Sequence, residues 1–256
     1  MDRRIGAQLF TVRDFMKTNA DFEETIKKIR DIGYEIVQVS GSPLKAKDMK
    51  EILDAYGMKC VVTHRAFPDF LKDLDEVIEY NQILGCDSCG IGMMPEATLR
   101  TLDAVDRFID DMNACAEKLY ENGMVFAYHN HNIEFVKYEG ETVMDRMLRK
   151  SDPAKVKFIT DSYWLQLGGQ NPAAFIKAHP ERAFYVHFKD LRLDPETPFV
   201  PEFAEIGEGT LDFKAITEAC DEAGVRFALV EQDQCRRDPF ESLKMSYNYL
   251  KTLGFH

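Results

Sequence analysis

Five stretches of the chain share one local pattern, in which an amphipathic segment stops at glycine and an apolar run follows. They are Gly33-Tyr34-Glu35-Ile36-Val37, Gly57-Met58-Lys59-Cys60-Val61, Gly85-Cys86, Gly123-Met124-Val125-Phe126 and Gly224-Val225-Arg226-Phe227. Glycine just past a helix adopts the left-handed conformation without a Cβ penalty, so each stretch reads as a helix end followed by a strand. Seven residues beyond these glycines stand Ser40, His64, Gly92, Asn130 and Glu231, so five strands turn polar or flexible at one depth. With the less regular units added, the pattern predicts strands near residues 4–10, 34–40, 58–64, 86–92, 124–131, 155–161, 183–188 and 226–231. Helical spacing fills the gaps, as in Phe22-Ile26-Ile29 and Leu102-Val105-Phe108-Ile109-Met112.

Such alternation in 256 residues predicts an α/β fold, a (β/α)8 TIM barrel forming a single domain over residues 1–256. The rival is an open doubly wound sheet. That fold usually carries a Gly-rich phosphate loop after its first strand, where this chain has Leu9-Phe10-Thr11-Val12-Arg13-Asp14. One connection is unusually long: Lys189 to Thr210 contains Pro195, Pro198 and Pro201 and closes with Gly207-Glu208-Gly209. It is expected to border the mouth of the barrel as a lid or specificity element, with a surface insertion as the alternative.

Composition narrows the partners. A formal net charge of −12 opposes binding to a phosphate backbone, because nucleic-acid affinity rests on Lys and Arg. No apolar segment approaches the roughly 18 residues of a membrane span, and a strand-like run begins at Ile5 after Met1-Asp2-Arg3-Arg4. A soluble, cytoplasmic protein is expected. Cys60, Cys86, Cys89, Cys115, Cys220 and Cys235 are scattered, and several sit in apolar runs as small hydrophobes. Cys86-Asp87-Ser88-Cys89 spells C-x-x-C inside a strand-like run, whereas a redox pair is expected at a helix start.

The candidate chemistry lies at strand ends. Phe126 to His131, Val156 to Asp161, Phe184 to His187 and Ala228 to Glu231 are apolar runs that finish on good ligands for a divalent cation. In a parallel barrel these ends share one rim. His129 and His131, two apart, project to the same face of their strand, and Glu134 follows closely enough to be a ligand or a base. Nitrogen and oxygen donors without thiolate suit Mn, Co, Mg, Fe or a catalytic Zn. Asp161 also occupies a helix N-cap position, a role compatible with metal binding. Lys189 can present an ammonium to an enolate or a hydroxyl. Alternatively, Lys189 and Asp190 form an exposed ion pair of little consequence.

Across its whole length the chain resembles the xylose-isomerase-like barrels of the sugar phosphate isomerase/epimerase superfamily. The resemblance is carried by Ile5-Gly6-Ala7-Gln8-Leu9-Phe10-Thr11-Val12-Arg13-Asp14, Tyr128-His129-Asn130-His131-Asn132-Ile133-Glu134-Phe135, Thr160-Asp161-Ser162-Tyr163-Trp164, His187-Phe188-Lys189-Asp190, Ile206-Gly207-Glu208-Gly209-Thr210 and Val230-Glu231-Gln232-Asp233. It implies a divalent metal held by Glu, Asp, His and Glu, the last three carrying over to Asp161, His187 and Glu231. This chain departs at strand five, where many members have Glu-Asn-His and it has His129-Asn130-His131. The first ligand is then His129, with Glu134 as a substitute if the loop folds back.

The activity so implied is a metal-dependent isomerase or epimerase acting on a sugar or keto-sugar through an enediolate. Glu231, Glu134, His131 and Lys189 are the catalytic candidates. The extra imidazole at position 131 leans toward the alternative, a dehydratase or lyase on a keto-sugar, cyclitol or keto-glycoside. A non-catalytic sugar-binding protein and a relative of metal-dependent apurinic endonucleases are weaker readings; the acidic balance opposes DNA. Substrate contacts are expected from Gln8, Phe10, His64 and Trp164, with Arg13 and Arg65 nearby. No Gly-rich loop after strand seven or eight grips a phosphate, so an unphosphorylated carbohydrate is the expected partner. A homo-oligomer is compatible with the sequence.

Overall fold

A computed structural model describes residues 1–256. Its strands are β1 (Ile5–Gln8), β2 (Ile36–Ser40), β3 (Lys59–His64), β4 (Ser88–Ile91), β5 (Val125–His129), β6 (Val156–Asp161), β7 (Ala183–Phe188) and β8 (Phe227–Val230). Each pairs in parallel with its sequence neighbours, and β1 closes the ring against β8 through Ile5↔Ala228 and against β2 through Gly6↔Ile36. The fold is a closed TIM barrel, and every predicted strand is present. The predicted helix stops hold as well: Gly33, Gly57, Gly85, Gly123 and Gly224 all have positive φ.

The pleat sorts each strand into two faces. Outward residues such as Val37, Val39, Phe126, Tyr128, Phe158, Val186 and Phe188 join helix side chains in apolar clusters of 35 and 22 buried residues. Inward residues Ile36, Val62, Ala127, Ile159, Tyr185, Phe227 and Leu229 belong to a smaller cluster inside the barrel. Tyr185 crosses the lower barrel, its hydroxyl lying within hydrogen-bond distance of Ser88 Oγ at 2.9 Å and Val61 O at 3.1 Å. Because inward positions recur every second residue, the next step toward the C-terminal rim brings Gln38, His129, Asp161, His187 and Glu231 over this apolar plug.

The long connection after β7 is an ordered antiparallel hairpin, Asp190–Asp194 with Thr197–Ala204, and Leu191 pairs with Phe203 near its base. Asp190 anchors it. One carboxylate oxygen accepts the Gly207 and Gly209 amides at 3.0 and 3.1 Å, and the other accepts those of Leu191 and Leu211 at 2.8 and 3.1 Å. A Cβ on Gly209 would lie 2.3 Å from that carboxylate, so only glycine fits there. The exposed Lys189–Asp190 pair is therefore corrected. Both residues are fully buried, Lys189 turns toward the carboxylates of Asp161, Glu231 and Asp233, and Asp190 secures a loop. All six cysteines are free thiols, and Cys86 and Cys89 are buried. No helix is long and apolar enough to cross a membrane.

Candidate metal centre and substrate cavity

His129, Asp161, His187 and Glu231, from the ends of β5 to β8, each bring one donor atom into a group whose members lie within 4.8 Å of one another. All four are buried. His129 Nδ1 donates to the Gly92 carbonyl at 2.9 Å, leaving the Nε2 lone pair aimed at the cluster. His187 Nε2 meets Gln38 Oε1 at 2.7 Å, which turns Nδ1 inward. The two inward nitrogens are 3.0 Å apart, and Asp161 Oδ2 lies 3.1 Å from His129 Nε2. Two imidazole lone pairs at that separation repel unless a cation or proton sits between them. Outer hydrogen bonds that fix ring tautomers in this way are usual around metal-bound histidines.

The carboxylates tell the same story. Asp161 Oδ1 accepts the Trp164 amide at 3.0 Å, so one oxygen caps the helix Ser162–Leu167 and the other faces the cluster. Glu231 Oε1 accepts from Gln8 Nε2 at 2.7 Å, while its buried Oε2 lies 2.9 Å from His187 Nδ1. Burial pushes both carboxyls up, but the Lys189 ammonium and the imidazoles overcome it and hold both below the ordinary carboxylate range. Burial pushes His187 down, and Glu231 and Asp161 more than offset this, raising it. The donor set thus calls for positive charge at its centre, and it fits a divalent cation.

Lys189 extends the charged wall. Its Nζ lies 3.1 Å from Asp161 Oδ2, 2.8 Å from Glu231 Oε2 and 3.2 Å from Asp233 Oδ2. Burial lowers its pKa, but these three carboxylates raise it above the usual lysine value. Trp164 and Phe203 form a partial roof, their rings each 5.5 Å from that ammonium. The base of the hairpin after β7 therefore contributes Phe203 to the site, in line with the expected rim position of that connection.

A cavity of about 370 Å³ opens beside the cluster, lined on one side by His129, His131, Glu231 and Asp233 and on the other by Gln8, Ser40, His64 and Gly92, with Phe10 at its edge. His64 stacks on His129 with ring centroids 5.5 Å apart, and burial keeps its imidazole neutral by pushing it well down. His131 packs against His129 and Trp164 at 4.7 and 4.8 Å. Burial, helped by His129 and Lys189, pushes it down to about 3. His64 Nε2, His131 Nδ1 and Trp164 Nε1 are buried without hydrogen-bond partners; His64 and His131 line the cavity, whereas Trp164, expected from sequence to contact substrate, is not among its lining residues. Gly92 leaves room for them, since a Cβ there would press on His64 Nδ1 at 3.2 Å.

Glu134 is placed elsewhere. Its loop turns beneath β5 toward the helices, where Oε1 accepts from the Tyr128 hydroxyl at 2.5 Å and Oε2 from the His131 amide at 2.8 Å. It lies outside the convergent ligand group, and His129 takes the strand-five place. Gln38, Ser40 and Asp233 had no assigned role from sequence. Gln38 and Ser40 are polar at inward positions of an otherwise apolar strand, and Asp233 follows Glu231 by two residues in the Glu231-Gln232-Asp233 motif.

The model of xylose isomerase-like TIM barrels matches residues 26–252. The chain belongs to this family. Inosose dehydratase from Geobacillus thermodenitrificans is 29% identical over 161 residues, covering 57% of this chain and 53% of that enzyme, so here the chain spans about half of its relative. Inosose dehydratase from Lacticaseibacillus casei is 27% identical over 267 residues, with 90% and 88% covered. The crystal structure of a sugar phosphate isomerase/epimerase from Parabacteroides distasonis shares the fold, with a TM-score of 0.81, 20% identity and coverage of 97% and 93%. The group of side chains with the chemistry to hold a cation lies at the C-terminal ends of the barrel strands.

Proposed function

We propose that this enzyme removes water from a keto-polyol, of which a keto-cyclitol is the simplest example, using a divalent metal at His129, Asp161, His187 and Glu231. When bound, the cation supplies Lewis-acid polarisation of a carbonyl beside the carbon that loses its proton. Glu231, held ionised with Oε2 2.9 Å from His187 Nδ1 and turned toward the cluster, takes that proton as general base. Lys189 gives a proton to the departing β-hydroxyl, which leaves as water. Because its Nζ lies 2.8 Å from Glu231 Oε2, the proton on Glu231 then returns to Lys189 and both groups regain their starting states. His64, His131 and Gln8 hold the remaining hydroxyls, and the Trp164–Phe203 roof limits water.

The observation that carries the reading is the direct contact between this base and this acid, Lys189 Nζ at 2.8 Å from Glu231 Oε2. An epimerase needs a second proton-transfer group facing Glu231, and of the two candidates for it, Glu134 and His131, Glu134 has both oxygens engaged by the Tyr128 hydroxyl and the His131 amide. The relatives named inosose dehydratases support the same choice. The test is metal-loaded protein with 2-keto-myo-inositol and a panel of keto-sugars in deuterated solvent. Dehydration predicts a product lighter by one water; a product of unchanged mass that has gained deuterium beside the carbonyl would make the protein an epimerase.

A further inference from the structure

The catalytic cavity does not end at its rim. Gly41, Arg65 and Ala66 line it and also line a second, larger groove of about 660 Å³ between the loop after β2 and the helix Leu74–Leu84. The first cavity lies at the small end of the range usual for ligand pockets, about 300–1,000 Å³, so one six-carbon ring suits it and the second groove is surplus.

The groove is built around Arg65. This side chain lies across the ring of Tyr80 at 4.8 Å and is held by Glu76 at 3.0 Å and Asp69 at 3.4 Å, so it forms a fixed sill between the two spaces. Beyond the sill, Lys45, Lys47 and Arg65 face Asp69, Glu76 and Glu79, a balanced set that favours neither anions nor cations. Leu44, Tyr80 and Ile83 add apolar faces between these charges. Carboxylates and ammonium groups that bond hydroxyls, interleaved with surfaces for C–H faces, are what a neutral sugar ring requires. On the catalytic side of the sill, His64 Nε2 is buried without a partner, so the passage begins at an unmet polar atom.

We infer that the groove bounded by Arg65 is a second sugar subsite, and that the substrate class is a keto-glycoside whose reacting ring enters the metal cavity while its second unit lies over Tyr80. This rests on the dehydration reading only for the identity of the reaction; binding of the second unit is a separate property. No further bond is made or broken in the groove.

Two measurements separate these claims. The first is calorimetric binding of glucose, cellobiose, maltose and trehalose to the wild-type protein. At least one disaccharide is expected to bind tenfold more tightly than glucose. Glu79→Trp, which fills the groove from an exposed helical position, is expected to abolish that advantage and leave glucose binding and bound metal unchanged. Lys45→Ala serves as the milder variant should Glu79→Trp not fold, with a threefold loss expected. The second compares kcat/KM on the 3-keto derivatives of the same sugars, where Glu79→Trp is expected to lower only the disaccharide values. If no disaccharide gains over glucose, or both variants affect glucose and disaccharides alike, the subsite is refuted even where dehydration is observed. If the binding advantage appears and disappears as expected but no water is lost, the subsite stands and the dehydration reading falls.

Discussion

Around the mouth of the barrel, β5 to β8 present His129, Asp161, His187 and Glu231, whereas β1 to β4 present Gln8, Ser40, His64 and Gly92. The pleat is the same in both halves and the inward positions match in depth. One half crowds carboxylates, imidazoles and an ammonium into a buried cluster, while the other offers neutral donors and acceptors facing open space. Opposite charges brought together without water hold a cation firmly and can move a proton between neighbours. Neutral groups instead select hydroxyls at little electrostatic cost. Under the proposed function, the scaffold separates reaction from recognition by distributing side chains around one ring.

The sharpest way to break this comparison is to remove charge from the first half. Asp161→Ala and Glu231→Ala are expected to lower metal affinity by more than about 100-fold, since loss of an outer-shell partner alone costs 10–100-fold. Elemental analysis after dialysis checks it, and full occupancy in both variants would dissolve the distinction between the halves. Lys189→Met comes next. It is expected to reduce kcat by about 10²–10⁴-fold, the usual contribution of a positioned acid, with metal retained; turnover near wild type would remove Lys189 from the mechanism.

Glu134 sharpens the contrast because it sits beneath the charged half without belonging to it. Burial pushes its carboxyl up to about 7 from an ordinary value of 4.5, so the folded state holds a proton that the unfolded chain releases. Its contribution to stability is complete below about pH 4.5 and is lost as pH rises through about 7, by at most about 3 kcal/mol. Denaturant melts between pH 5 and 8 should show this decline, and Glu134→Gln, neutral throughout, should flatten it. An unchanged slope in that variant would assign the decline to other groups. The smallest effect is expected in the neutral half. Ser40→Ala removes a hydroxyl that accepts from Gln8 at 3.3 Å and is expected to raise KM by up to about fivefold, roughly 1 kcal/mol, with metal content and kcat unchanged. A loss of metal there would show that the halves are not independent.

Much of this was legible because strand and helix periods are local properties. The stops at Gly33, Gly57, Gly85, Gly123 and Gly224 marked where β-strands begin, and the polar residues seven positions on marked the rim. His129, Asp161, His187 and Glu231 were readable because a strand end in a parallel barrel has one location. Glu134 was not, since three residues of loop can turn toward the cavity or away, and only the partnership with Tyr128 decides which. The connection after β7 read only as a long loop, and its hairpin went unpredicted, because its prolines disfavour a central strand. A two-stranded hairpin tolerates them on its open edges.

Taken alone, the sequence determined the closed barrel, the rim on which the ligand-type side chains gather and the residue types that converge there, because these follow from hydrophobic period, glycine stops and side-chain alternation. Only the tertiary structure decided how the polar groups divide their bonds. Gly92 and Gln38 orient the two imidazoles, Lys189 enters the cluster while its neighbour Asp190 turns away to hold a loop, and Glu134 is withdrawn. Each of these outcomes depends on which distant atom satisfies a buried polar group, and no local pattern records that choice.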